Sequence, residues 1–237
     1  MAKENNQETR TALDDINDSL SRAELKVQDN KKVIMWVSVA VAALVALVLI
    51  YIYLIRRPGV DNADKNVGLA DNKALMYDYN SGMLSDSARA AALTDVVKAY
   101  EAAAENGYDG GNRAKLMTAV YAYEQGDYEK ALSMLKDYDR TDNIIGATSK
   151  ALEGDCYVNL DKFQEAIECY KEALKISEDN PMLAPYFLLK EATVQRELKN
   201  FAAEAEIYQT LLDKYPQYGE ENGIDFEKYL ARAKASK

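Results

Sequence analysis

The residues with the widest chemical range in this sequence are crowded into Leu152–Ile176, LEGDCYVNLDKFQEAIECYKEALKI, where Cys156 and Cys169 lie among Glu153, Asp155 and further carboxylates. Thiolates and carboxylates are metal ligands and acid–base groups, so a metal site or a catalytic pair is the first possibility to weigh. Two thiols without an imidazole make a weak metal set. The chain contains no histidine, which also removes the commonest general base. Glu153 and Asp155 are spaced i, i+2, and residues at that spacing do not share a helix face. An enzyme built from tyrosine, cysteine and carboxylate groups in a helical scaffold stays open as an alternative reading. A second stretch, NGYDGGN at Asn106–Asn112, has the glycines of a phosphate-cradling loop. It lacks the following Lys-Ser/Thr and a preceding strand, and it reads as a helix C-cap and turn. No cofactor, metal or small-molecule substrate is expected from either stretch.

The elements that must position these groups are helices. The chain has 237 residues with only 4 prolines, and alanine is abundant while β-branched residues are scarce, a balance that favours helix over sheet. The formal net charge is −10, and the excess is not evenly spread: the chain through Pro58 holds 8 basic and 7 acidic residues, and the rest holds 21 and 32. Phosphate contacts supply most nucleic-acid affinity and require a basic face. No such face is encoded, so no nucleic-acid partner is expected. The same acidity argues against the large domain lying on an anionic lipid surface.

One segment sets the broad class. Val33–Ile55, VIMWVSVAVAALVALVLIYIYLI, is 23 residues without a charge, long enough at about 1.5 Å per residue to span a hydrocarbon core of roughly 30 Å. Trp36 stands near one end and Tyr51 and Tyr53 near the other, as interfacial aromatics do. A cleavable signal peptide has a shorter apolar run ending in small residues, whereas this one follows a polar segment and ends in IRRPG. An uncleaved transmembrane helix is therefore expected. Four basic residues flank each side within about 20 positions: Arg22, Lys26, Lys31 and Lys32 before it, Arg56, Arg57, Lys65 and Lys73 after it. The positive-inside rule therefore leaves the orientation open.

Residues 1–32 form a polar head. Thr11 and Asp14 resemble a capping box, and Leu13, Ile16, Leu20, Ala23 and Val27 form an apolar stripe, predicting an amphipathic helix that either extends the anchor or docks a partner. Residues 56–68, with Pro, Gly, Asn and Asp clustered, read as a linker. Residues 69–111 read as a helix pair, with helices near Leu69–Tyr79 and Asp86–Glu105.

From residue 112 the chain repeats. YEQGDYEKALSMLKDYD, YVNLDKFQEAIECYKEAL and RELKNFAAEAEIYQTLLDKYP each place an aromatic, Tyr128, Phe163 or Phe201, after a short polar turn and at the start of a helix. These anchors lie 35 and 38 residues apart, close to the period of a helix–turn–helix solenoid. The pattern resembles the tetratricopeptide repeat. The middle unit matches best, with small residues at Gly154, Ala166 and Ala173 and aromatics at Tyr157, Phe163 and Tyr170. The first unit offers Ala119, Tyr128 and Ala131, but carries Ala122 for an aromatic and Tyr138 for the late alanine. The third offers Ala192, Phe201, Tyr208 and Pro216, with Glu204 where a small residue belongs; the alanines on either side of it, Ala203 and Ala205, suggest a register shift. The resemblance implies that Gly154 faces its partner helix where any larger side chain would push the two apart, which outweighs glycine's intrinsic helix cost of roughly 1 kcal/mol. Cys156 and Cys169 are then about 7 Å out of register along the hairpin, poorly placed for a disulfide, and read as small core hydrophobes.

The expected fold is all-α: an N-terminal amphipathic helix and one transmembrane helix, then the helix pair, which could be a degenerate repeat. An α-solenoid of about three hairpins at 112–145, 147–180 and 185–218 and a C-terminal capping helix complete it, the repeat domain spanning 112–237. The resemblance places the first helix of each pair on a concave face. That groove would display Leu116, Val120 and Tyr123 with Arg113 and Glu124, then Asp155, Val158 and Asn159 with Thr148 and Ala151, then Tyr186, Leu189 and Thr193 with Arg196 and Glu197. It lacks the lysines with which some family members clamp a C-terminal carboxylate. A partly apolar, partly acidic groove suits an amphipathic helix or an extended unfolded segment, unless a neighbouring helix fills it.

Taken whole, the order of parts resembles a family of bacterial inner-membrane tetratricopeptide proteins, ancillary to the secretory translocon; PYFLLKEA and FEKYLARAKA are especially similar. The resemblance implies a cytoplasmic head, a periplasmic repeat domain and a non-catalytic adaptor role. The implied partners are translocon subunits, a periplasmic chaperone or prolyl isomerase, and unfolded secreted chains. A cytoplasm-facing scaffold for assembly of an envelope complex is the alternative.

Overall fold

The computed structural model describes residues 16–17, 19–21, 28, 30–178 and 180–236, and among these it is helical throughout, without strands. It divides into two units, residues 1–58 and 59–237.

In the first unit, helix α1, Lys31–Ile50, continues into a π-helical segment, Tyr51–Arg56. None of the residues of these two segments is buried, and α1 is long and apolar enough to cross a membrane. Arg57 holds its guanidinium 5.2 Å from the Tyr53 ring, a cation–π contact at the charged end of the apolar run. Of the stripe expected in the head, Ile16 and Leu20 are helical and exposed, and Leu13, Ala23 and Val27 lie outside the described residues.

The second unit is a succession of antiparallel helices. Helix α2 is Arg57–Asn80, α3 Asp86–Ala104, α4 Asp109–Gln125, α5 Tyr128–Asp137, α6 Ile145–Asn159, α7 Phe163–Ile176, α8 Ala184–Glu197 and α9 Phe201–Lys214; α10, Pro216–Asn222, and α11, Phe226–Ala235, follow. From α3 onward each helix packs on the next in the chain as far as α9, and α11 packs back on α9. The boundaries are encoded locally. Gly126 leaves α4 with φ 85°, and Asp127 at once accepts from the Lys130 amide to start α5, a left-handed C-cap followed by an N-cap. Asn200 and Asp225 cap α9 and α11 in the same way.

The core runs through the hairpins in four clusters: Val67, Ala70, Ala74 and Tyr77 of α2 with Val96, Val97 and Tyr100 of α3 and Ala114 and Tyr121 of α4; Ala119, Ala122, Leu132, Leu135 and Cys156; Ala147, Ala166, Ile167, Tyr170 and Phe187; and Leu188, Ala192, Tyr208, Leu211 and Phe226. Phe226 is buried, with Tyr229 and Leu230 packed beside it, so α11 covers the apolar end of the last hairpin. A solenoid requires such closure.

Three expectations are corrected. Residues 59–68 are helical rather than a linker. Ala63, Val67, Ala70, Ala74 and Tyr77 are buried at alternating spacings of four and three, and this apolar stripe overrides the turn-forming residues between its members. The NGYDGGN stretch is not only a turn, because α4 begins at Asp109. Gly110 and Gly111 lie buried in its first turn, where a Cβ on Gly110 would stand 3.2 Å from the Ala63 carbonyl carbon and one on Gly111 1.6 Å from the Asn106 carbonyl oxygen. Nor is there a register shift at Glu204. Glu204 is itself fully buried, and Arg196 donates to both of its oxygens at 3.0 and 2.9 Å while Arg232 of α11 donates at 2.9 Å. A charge can take a small residue's place because two guanidinium groups accompany it inward.

Candidate functional site

The residues expected in the groove come from α4, α6 and α8, the first helices of the three hairpins. The repeat period brings them together: side chains one period apart in sequence become lateral neighbours. Asn159 of α6 donates its amide to the Tyr123 hydroxyl of α4 at 3.2 Å, across 36 residues, and to the Asp155 carbonyl at 2.8 Å. Lys190 of α8 donates to both carboxylate oxygens of Asp155 at 2.8 and 2.9 Å, across 35 residues. The Tyr170 hydroxyl, from α7 behind, donates to the same carboxylate at 2.7 Å. The Lys190 ammonium also stands 4.9 Å from the centroid of the Tyr186 ring. The result is a polar ladder, Tyr123–Asn159–Asp155–Lys190–Tyr186, crossing three helices.

The electrostatics follow from partial burial. Desolvation disfavours the charged ammonium of Lys190, but its hydrogen bonds to Asp155 outweigh this and hold its pKa above the ordinary lysine value. Burial, with the Asp155 charge and hydrogen bond in addition, pushes the Tyr170 hydroxyl well above the tyrosine range. Burial and the Asp155 charge raise Tyr123 as well. All three groups therefore keep their protons at neutral pH; Lys190 and Tyr170 donate to Asp155, and the Tyr123 hydroxyl accepts from Asn159.

The other expected groove residues divide by packing. Val120 and Tyr186 are exposed, and Val158 is half-buried against the cluster of Ala147 and Phe187. Leu116 packs against the cluster of Ala119 and Cys156, and Leu189 against that of Ala192 and Tyr208. Those two serve the core as much as the surface. Thr193 is exposed and donates its hydroxyl to the Leu189 carbonyl of its own helix at 2.9 Å. Residues 69–105 pack against α4, where Asp71 of α2 pairs with Arg113 at 2.9 Å, Asp78 accepts from the Tyr121 hydroxyl at 3.0 Å and Tyr77 donates to Glu124. Two residues expected in the groove, Arg113 and Glu124, are thereby occupied.

Sequence reasoning missed Lys190 and Tyr170, the two partners of Asp155. The available signal was the period: Lys190 follows Asp155 by one repeat length and Tyr186 by one helical turn.

The carboxylates and thiols of Leu152–Ile176 are taken up in ion pairs or buried. Glu153, almost wholly buried, accepts from Arg140 and from Lys150, the latter at 2.8 Å, and Lys150 reaches Glu172 at 3.0 Å. Glu153 and Asp155 thus belong to separate ion pairs. Cys156 and Cys169 are free and buried, and desolvation raises both thiols to about 12, which leaves them unionised and unreactive. Among the described residues no group of three or more metal-ligating side chains converges.

Models of the tetratricopeptide repeat match the chain over residues 85–143, 150–180 and 186–218. The first match spans α3, α4 and α5, and the others cover most of the α6–α7 and α8–α9 hairpins. No curated protein matches the chain.

Proposed function

Because this chain is a tetratricopeptide repeat protein with one N-terminal helix apolar enough to cross a membrane, we propose that it is a membrane-anchored, non-catalytic adaptor that holds a protein partner along the face of α4, α6 and α8. The observation that carries this reading is the polar ladder from Tyr123 to Tyr186. It is flanked by exposed Val120 and half-buried Val158 and Leu189, an alternation of apolar steps and fixed hydrogen-bonding groups suited to an amphipathic helix or an extended chain. Tethering strengthens such an adaptor, since confinement at the membrane raises the effective concentration of what it binds even at modest affinity.

The resemblance of the whole chain to ancillary translocon proteins supports the bacterial inner membrane as the site, with the head inside and the repeats in the periplasm. On this reading the partners are translocon subunits, a periplasmic chaperone or prolyl isomerase, and nascent secreted chains. The equal count of basic residues on the two sides of the apolar helix favours neither orientation, and a cytoplasm-facing assembly scaffold is the second reading. Protease treatment of spheroplasts, with an epitope after Lys237, separates the two. Digestion before lysis supports the periplasmic adaptor, and protection until lysis supports the scaffold. Tyr123→Ala with Leu189→Ala is expected to lose co-purifying partners at unchanged helicity; unchanged co-purification contradicts the groove.

A further inference from the structure

Helix α2 has two apolar faces. One is the buried stripe from Ala63 to Tyr77. The other carries Leu69, Leu75, Met76, Tyr79 and, in the 3-10 turn that follows, Met83, all between 57% and 78% exposed. Beside it a cleft of about 650 Å³ opens between α2 and α3, its lining mainly apolar, Met76, Met83, Leu84 and Val96 among it, with Lys73 and Asp95 as its charged members. At its other end the unit is closed by α11. Terminal repeats of a solenoid need a polar outer face, and on α2 that face is interrupted by this apolar patch.

We infer that this face is where two copies of the chain meet, α2 against α2 in parallel, at the membrane. Three observations select a second copy as the occupant. First, Leu69 and Met76 are seven residues apart, Met83 follows seven further on in the turn, and Asn72 and Tyr79 fall at the intervening positions, the spacing of a short coiled-coil seam between two like helices. Second, α2 begins directly after the apolar span in the sequence. Whatever angle α2 takes from that span, two anchored copies take the same one, so like residues stand level and the seam is self-complementary about a two-fold axis. Third, charge permits it. The part of the chain beyond Pro58 carries 32 acidic against 21 basic residues, so most approaches of two copies are repulsive. Between Leu69 and Met83 the seam positions carry no charge, and Lys73 at its edge faces Gly68 of the other copy in this register.

A seam of this length is about 22 Å by 10 Å, less than the roughly 800 Å² per partner of an interface stable in free solution. The pairing therefore depends on confinement by the anchor, and the measurement is made in membranes with the full chain. The two native cysteines are buried, so added ones report alone. Met76→Cys is expected to form inter-copy disulfides at least about tenfold faster than Glu168→Cys, a control on the exposed side of α7. The double change Leu69→Glu and Met83→Glu, at exposed positions where folding is not at stake, should bring the Met76→Cys rate down to that of the control. Equal rates for the two cysteines, adducts of Met76→Cys only with a different protein, or crosslinking that survives the glutamates would each overturn the inference. The last of these would assign the pairing to the apolar spans.

Discussion

The ring of Tyr170 fills the space that a side chain on Gly154 would occupy: a Cβ built there would stand 2.5 Å from the nearest ring atom. The glycine leaves room for a buried tyrosine whose hydroxyl reaches past it to Asp155. A packing requirement in the middle hairpin and the polar ladder of the groove are therefore one arrangement.

Gly154→Ala tests this directly. Alanine is worth about 1 kcal/mol more than glycine within a helix. The added methyl meets a buried aromatic ring rather than a movable chain end, and overpacking of that kind costs typically 1–3 kcal/mol. The expected result is net destabilisation by urea titration together with loss of the Tyr170–Asp155 hydrogen bond. Tyr170→Leu in the same chain should recover most of the loss.

Lys190→Ala removes the only cation contacting Asp155 among the described residues. The carboxylate is left largely buried with Tyr170 as its remaining side-chain donor, at a cost of about 1–3 kcal/mol. Asp155→Asn in the Lys190→Ala background should restore part of the stability, since it removes the unpaired charge. Chemical denaturation of the four chains of this cycle gives the coupling.

Glu204 and its two arginines give an asymmetric expectation. Arg196→Ala leaves a fully buried carboxylate with one partner, and breaking such a pair costs on the order of 3 kcal/mol. Glu204→Ala removes the buried charge and supplies the small residue the repeat pattern favours, while Arg196 and Arg232, with side chains 31% and 41% exposed, can still reach water. Glu204→Ala should therefore cost less than half as much. The reverse order, measured by urea titration, contradicts the account of that site.

Glu191 sets a pH dependence. Burial raises its carboxyl above the ordinary glutamate value, opposed only in part by Lys171 at 3.5 Å and by Gln195. The folded chain thus binds this proton more tightly than the unfolded chain does. Its contribution to stability is fully present below the unfolded pKa and is lost as pH rises through the raised one. Glu191→Gln is expected to raise the Tm at pH 7, and the gain should shrink toward zero as pH falls below the glutamate range. A gain that persists unchanged in acid would point to packing instead.

Much of this was legible in the sequence because it is periodic. Apolar spacing, the aromatics after each turn and the charge-free run of Val33–Ile55 specify helices, hairpins and a helix apolar enough to cross a membrane without reference to contacts far along the chain. What escaped reading depends on partners. Residues 59–68 contain linker residues, and only the burial of Ala63 and Val67 shows which pattern prevails. Gly110 and Gly111 look like turn glycines until Ala63 and the Asn106 backbone are placed against them. Glu204 looks like a broken repeat until Arg196 and Arg232 are brought to it. In the groove, Tyr123, Asp155, Asn159 and Tyr186 follow from the repeat pattern, whereas Lys190 requires knowing that Asp155 needs a counter-charge one period away.

The central claim, that the face of α4, α6 and α8 holds a protein partner, is tested most directly by a photo-crosslinking side chain at Asn159, which is exposed on that face, against one at Glu168, exposed on α7. In intact membranes the account predicts discrete adducts with other proteins from position 159, reduced by Tyr123→Ala with Leu189→Ala, and none from position 168. Adducts of equal yield from both positions, or none from 159, would contradict it.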